Sequence, residues 1–373
     1  MKDQKVRITS IDALRAIVLF GILIVHTGGL FGFLNSDNSF SYFTNIDYFF
    51  VKVIDFSFSG RCSAIFSILF GVSFYLILKN PSYGSLKFIW RCLLLMSLGL
   101  FVKFFYTYDA LMWYGMLGIV LVLFRKLKPL YLFMSFVAVF LLSMYLVKFS
   151  IGDLLFEPKA SLNRYVSTES LAGIIGYPLS VSVTDYFRTV FNSGVFRTLS
   201  YFILGYFFAK VGIVDNLSKY SNLRNVLVFA LLYVVSLFLS HVTGTSLFLS
   251  FRNLFGAVFY ALLFLTLYYR LSKHMSFSWL ESYGKLGLTN YCAQNICGVI
   301  FISTIFIPEQ VNFIIILCCS VVFYIIQILF SIIWLRYYKF GPLEWLWRCL
   351  TNMKFVSNRK VKATTFDVDL VQS

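Results

Sequence analysis

Charge is scarce in this chain, and so is proline. Asp, Glu, Lys and Arg make up only 13% of 373 residues, and there are six prolines. So few charges cannot cover the surface of a soluble globule. So few prolines leave helices unbroken and weaken any picture of a transporter built on proline-interrupted spans. Histidine is rarer still, at three residues. No HExxH, CxxC pair, GxSxG or Walker-type loop occurs, so hydrolytic zinc, redox and ATPase readings have no basis, and no metal is expected. The seven cysteines are odd in number, lack metal-ligand spacing, and read as small apolar packers. Strand-like alternation is missing, which excludes a β-barrel.

What remains is apolar. Hydrophobic residues make up 59% and aromatics 20%, with a mean hydropathy of +0.81. Repeated runs of about 20 apolar residues are transmembrane helices, because backbone groups in lipid must bond within their own segment. The expected fold is an all-α polytopic membrane protein with about ten transmembrane helices. They fall near residues 14–34, 62–78, 88–105, 111–124, 130–148, 194–211, 225–243, 251–270, 286–306 and 312–335. An aromatic stretch from Tyr42 to Phe58 is expected at the interface. The longest connection, 149–190, could lie as a lid over the outer mouth. Residues 1–352 read as one membrane domain and 353–373 as a polar cytoplasmic tail. Asp12 and Arg15 at the start of the first apolar run, with no convincing cleavage site after it, favour a retained span over a signal peptide.

The net charge of +16 is distributed by topology rather than as a nucleic-acid surface. Lys79, Lys87 and Arg91, then Arg125, Lys126 and Lys128, then Lys210, Lys219 and Arg224, then Arg270, Lys273 and Lys285 fall in alternate connections. This is the positive-inside pattern, and it predicts that both termini are cytoplasmic.

The first apolar run carries the sharpest signal, Arg15-AIVLFGILIV-His26. Eleven residues are about three helical turns, so the two side chains share a face roughly 16 Å apart along the axis. An ionisable group at membrane depth is costly and reads as functional; the alternative is a histidine that hydrogen-bonds a neighbouring helix. Asp109 and Arg61 fall near the outer boundary, as His26 nearly does. Asp109 is either a support for an imidazole or a cap on the helix that follows it. Arg61 is either an anion binder or a snorkelling helix-end arginine. Asn290 and Gln294, four apart, share a buried face and either line a tunnel or knit helices. Asn295 lies beside them.

Three stretches carry a family resemblance. Phe340-Gly341-Pro342-Leu343-Glu344-Trp345-Leu346-Trp347-Arg348-Cys349-Leu350-Thr351 closely resembles the terminal signature of the YeiB-type bacterial membrane proteins. Gly287-Leu288-Thr289-Asn290-Tyr291 with Gln294 resembles their penultimate-span motif. Phe66-Ser67-Ile68-Leu69-Phe70-Gly71, and Asp109 with Tyr114, fit it too. That family is grouped with transmembrane acyltransferases, and Ile11-Asp12-Ala13-Leu14-Arg15 with His26 looks like the type 3 acyltransferase motif. The chain departs from the pattern at Val102 and Met112, where histidines are expected.

The resemblance implies a multi-pass enzyme of the bacterial cytoplasmic membrane. Such an enzyme moves an acyl group, acetyl in the simplest case, from cytoplasmic acyl-CoA to a hydroxyl or amine of an envelope glycan or exported small molecule. In that reading His26, Asp109 and Arg15 are catalytic and Arg61 binds the acceptor. Lys87, Arg91, Asn290, Gln294 and Arg348 hold acyl-CoA. The basic rim is explained equally by anionic lipids and topology, and the terminal tryptophans by interfacial anchoring. The competing class is a transporter or an accessory of an exporter, for example of a peptide antibiotic, with an exporter or a second copy as partner.

Overall fold

In the computed structural model, residues 8–30, 44–80, 83–103, 105–106, 109–148, 193–244, 246–298 and 312–360 are described. The expected lid at 149–190 lies outside them, as do residues 299–311 of the span near 286–306 and residues 361–373 of the tail.

The described chain is helical throughout, apart from an isolated bridge between Tyr338 and Arg359. The helices are α1 (Thr9–Leu30), α2 (Asn45–Ser57), α3 (Arg61–Leu78), α4 (Ser85–Lys103), α5 (Leu111–Leu121), α6 (Pro129–Lys148) and α7 (Ser193–Lys210). After a one-turn helix at Leu217–Tyr220 come α8 (Leu223–Thr243), α9 (Ser246–Leu271), α10 (Ser278–Lys285), α11 (Gly287–Ala293), α12 (Phe313–Tyr337) and α13 (Pro342–Asn352). Among the described residues seven stretches are long and apolar enough to cross a membrane, and an eighth is added by α7 with its continuation, bent by 65°. The chain is a multi-pass membrane protein. The count falls short of ten because Leu111–Phe124 is apolar but short, and because the span begun by α11 is described only to residue 298.

Helix starts differ from the apolar runs in one informative place. α1 begins at Thr9, not near residue 14, because its polar first turn is held by neighbours. Thr9 Oγ1 meets the Tyr268 hydroxyl at 3.1 Å and Ser10 Oγ the Tyr269 hydroxyl at 2.9 Å. Within the Tyr42–Phe58 stretch, whose first two residues lie outside the described ones, Asn45–Ser57 form α2, opened by a capping box of Thr44 and Asp47. Asp47 is fully buried and accepts from the first turn of α12 at Ile314 N–H, 3.2 Å. One side of this helix is thereby packed against α12, while Ile46, Phe49, Val53 and Phe56 stay exposed.

The core is a zip of aromatic and aliphatic side chains from α1, α3, α4, α5, α6, α7 and α9, joined by buried residues of α10, α11 and α12. One close seam is between α3 and α7. A Cβ on Gly71 would come within 2.1 Å of the Phe202 carbonyl oxygen, and one on Gly205 within 2.0 Å of the Ile68 carbonyl oxygen. Two backbones in direct contact need glycine at both crossing points, the small-residue logic of helix packing in lipid.

The C-terminal signature is an amphipathic helix across one end of the bundle. Pro342 opens α13. The Trp347 ring lies 3.8 Å under the Arg91 guanidinium, and its Nε1–H donates to the Arg91 carbonyl at 3.2 Å. Trp90 Nε1–H donates to the Leu350 carbonyl at 3.1 Å. The tail turns back over this end: Asn358 bonds both the N–H and the carbonyl of Phe340, and Trp345 Nε1–H donates to Val356.

Candidate functional site

His26 lies in the last two turns of α1, with its ring turned into the bundle. It stacks on Tyr106 at 4.7 Å and meets the edge of Tyr291 at 6.2 Å. Its Nδ1 is 3.0 Å from Asn295 Oδ1, and Asn295 Nδ2 donates to Asp109 Oδ1 at 3.3 Å. This chain of contacts fixes the chemistry. A carboxylate only accepts, so the amide must turn its NH2 to Asp109 and its oxygen to the imidazole. The imidazole then carries its proton on Nδ1, which leaves the Nε2 lone pair free. The ring is half-buried, while Asn295 and Asp109 are 1% exposed.

Asp109 does two jobs with its two oxygens. Oδ1 orients Asn295, and Oδ2 accepts from the Leu111 N–H at 2.8 Å, in the first turn of α5. The cap expected from the sequence is present, and the other oxygen meets Asn295 rather than the His26 imidazole. The Tyr291 hydroxyl also bonds this carboxylate and accepts from the Ala110 N–H at 3.4 Å. Burial pushes the carboxyl up to about 6, against the opposing pull of the Tyr291, Leu111 and Asn295 hydrogen bonds and the Lys103 charge.

Asn295 reaches His26 because the chain widens there. Residues Gln294–Gly298 form a π-turn after α11. Successive residues of a regular helix point about 100° apart, yet Gln294 and Asn295 are 3% and 1% exposed. The wider turn lets both amides face protein, a feature that recurs at functional sites. The family-like motif in α11 works along its whole length. Thr289 meets Glu344, Asn290 Nδ2 donates to the Tyr283 carbonyl and Ser331 Oγ (3.0 Å each), and Tyr291 reaches Asp109.

The Phe66–Gly71 motif is a wall of the same site. Phe66 stacks on Tyr291 at 6.0 Å, and Ser67 Oγ meets the Tyr114 hydroxyl at 2.8 Å. In place of histidines, Val102 is fully buried core and the α4–α5 turn contributes Tyr106 and Asp109.

The other sequence-selected residues fall into separate places. Arg15 pairs with Asp12 at 2.8 Å and points to the Gly284 carbonyl at 3.4 Å, so it braces α1 against α10 and does not join His26. Gln294 Nε2 donates to the Tyr283 hydroxyl (2.7 Å) and to Gln327 Oε1 (3.3 Å), while its own Oε1 is buried without a partner. Asn290 and Gln294 therefore knit α10, α11 and α12. Arg91 stacks on Trp347, Lys87 sits 5.3 Å over Tyr83, and Arg348 sits 4.1 Å over Phe340, all toward the α13 end. Arg61 is 1% exposed at the start of α3, where its Nη1 donates to the carbonyls of Asp55 (3.1 Å) and Ser59 (2.5 Å). Among the described residues no cluster of three or more metal-ligating side chains occurs.

Comparison with known proteins bears on the motifs. Residues 223–354 match the family described as "Protein of unknown function (DUF418)". The chain is 28% identical to an "Uncharacterized 39.9 kDa protein in amylase 3'region" of Bacillus acidopullulyticus over 359 residues, 94% of this chain and 95% of that one. It is 27% identical to the "Uncharacterized protein YxaH" of Bacillus subtilis (strain 168), again over 94% and 95% of the two chains. A third similarity, 37% over 98 residues, is to the "Uncharacterized protein YeiB" of Escherichia coli (strain K12), covering 26% of this chain and 25% of that one. Thr289, Asn295 and Glu344 all lie within the segment that matches this family, and part of the chain is similar to YeiB.

Proposed function

We propose that the chain is an acyltransferase of the bacterial cytoplasmic membrane, with ten spans and both termini cytoplasmic. It moves an acyl group, acetyl in the simplest case, from cytoplasmic acyl-CoA to a hydroxyl or amine of an envelope glycan or an exported small molecule. The observation that carries this reading is the Asp109–Asn295–His26 relay, which holds an Nε2 lone pair ready in a half-buried site. A base with imidazole chemistry suits removal of a hydroxyl proton near neutral pH.

In this reading His26 Nε2 takes the acceptor's proton as the acceptor oxygen bonds to the thioester carbonyl carbon. The carbon–sulfur bond breaks, the proton passes from His26 to the departing thiolate, and the products are an ester and free thiol. Asn295 holds the imidazolium in place, and the Asp109 charge stabilises it at one remove. Arg91, Lys87 and Arg348 at the α13 end offer cations to the phosphates of coenzyme A. Arg15 and the buried acceptor Gln294 Oε1 lie between that end and His26, with the amide oxygen free for an N–H of the pantetheine arm.

The test uses labelled acetyl-CoA and purified protein in liposomes. Label should leave the donor for an added acceptor with the wild-type chain and not with His26→Ala at equal membrane abundance. Undiminished turnover in His26→Ala rejects the mechanism, and solute flux without label transfer favours the exporter class.

A further inference from the structure

A second cluster of charge lies where the α2–α3 corner meets α8 and α9. Gly60 turns the corner with a φ of 73°, and Arg61 follows it inward. One edge of the Arg61 guanidinium is spent on backbone carbonyls. The other edge, Nε and Nη2, is buried with no hydrogen-bond partner. Across from it on α9, Arg252 Nε is also buried and unpartnered, and so is Asn253 Oδ1 on a side chain 8% exposed. Asn253 abuts Gly60, where a Cβ would come within 2.8 Å of its amide, and a Cβ on Gly256 would meet Arg61 Cγ at 3.2 Å. Arg252 lies within electrostatic reach of Arg61, Asp55 and Tyr233. The one ion pair within 4 Å among the described residues is Arg15 with Asp12, so neither arginine of this cluster is matched by a carboxylate at that range.

Two neighbouring guanidinium groups, one fully buried and one half-buried, leave four N–H groups on three nitrogens idle, a cost that the Tyr233 ring 5.8 Å from Arg61 and the Asp55 charge beyond ion-pair range offset only in part. An anion removes it, and guanidinium forks match the oxygens of phosphate better than any other side chain does. The idle acceptor on Asn253 asks for a donor beside that anion, such as a hydroxyl. Arg252 is half-buried and marks the open side.

We infer that Arg61, Arg252 and Asn253 form a binding site for a phosphate group carried on a hydroxylated molecule. The site stands on its own geometry. Its use as the handle that seats a phosphorylated acceptor rests on the acyl-transfer reading. α3 links the two places: Cys62 lies against Gly21 of α1, and Phe66 packs on Tyr291, whose edge faces His26.

Thermal unfolding of the full chain in a neutral detergent tests the site, with sn-glycerol 3-phosphate, inorganic phosphate or phosphatidylglycerol added at constant ionic strength. At least one of the three should raise Tm saturably. Arg252→Gln should weaken the apparent affinity about tenfold or more, the scale of one lost charge-assisted hydrogen bond. Asn253→Asp, which keeps the side-chain size and supplies an internal carboxylate, should raise Tm without phosphate and abolish the response. A response to phosphatidylglycerol alone assigns a lipid headgroup, and one to glycerol phosphate assigns a soluble or polymer-borne acceptor. His26→Ala should keep the full response, so failure of the acyl-transfer reading leaves this result standing. No saturable rise with any of the three, or a wild-type response in both Arg252→Gln and Asn253→Asp, overturns the site.

Discussion

The carboxylate of Glu344 caps a helix that begins 57 residues earlier in the chain, and it does so through Thr289. Its Oε1 accepts from the N–H groups of Leu288 (2.8 Å) and Thr289 (3.1 Å), and its Oε2 accepts from the Thr289 hydroxyl at 2.5 Å. Thr289 Oγ1 in turn accepts from the Leu343 N–H at 3.1 Å. A helix N-terminus has idle donors and a partial positive charge, and here the terminal signature supplies both acceptor and anion. Burial raises the Glu344 carboxyl above its usual range, while the bonds from Thr289 and Leu288 pull it back.

Glu344→Ala strips α11 of this cap and leaves buried N–H groups unmatched. The expected cost is about 2–4 kcal/mol, read as a lower Tm in detergent. Glu344→Gln keeps an acceptor and should lose less than half as much. Equal losses in the two variants would show that shape, not hydrogen bonding, is what the position requires.

Asn295→Leu should leave the fold intact and remove the tautomer lock on His26. Turnover should fall about 10²-fold or more, the scale of general-base loss, with little change in KM for the donor. A rise in KM at unchanged kcat would instead make Asn295 a binding residue.

Asp109 sets a pH dependence. Its carboxyl ionises near 6 in the folded chain and near 4 when unfolded. The ionised form is therefore a cost to the fold above pH 6, and the cost disappears as pH falls toward 4. Asp109→Asn should raise stability at pH 8 by on the order of 2 kcal/mol and change it little at pH 4. The same variant gives Asn295 no fixed amide orientation and should lose turnover. Wild-type turnover should decline as pH drops through about 6. A profile flat from pH 8 to 5 contradicts the relay.

Gly71→Ala drives a methyl against the Phe202 carbonyl and should cost about 1–3 kcal/mol through forced separation of α3 and α7. Gly29→Ala, where a Cβ meets nothing within 4 Å, is the matched control and should leave Tm unchanged or slightly raised.

Helix positions were readable from the apolar runs because lipid imposes one solution on the backbone. His26 and Asp109 were readable because a titratable group among apolar neighbours stands out. Their connection was not, since Asn295 is 269 residues from His26 and 186 from Asp109, and an amide in a π-turn leaves no periodic trace. Arg252 was missed because an arginine near a helix end reads as a snorkelling anchor until its partnerless, buried Nε is seen. Glu344 lay in plain sight within the terminal signature, but its target is a backbone, which has no sequence.

From Thr289 to Asn295 is six residues, about 9 Å of helical rise. One end of this short rod is clamped by the C-terminal helix and the other sets which nitrogen of His26 bears the proton. The contact that Glu344 of α13 makes and the contact that orients His26 are thus carried by one continuous helical segment.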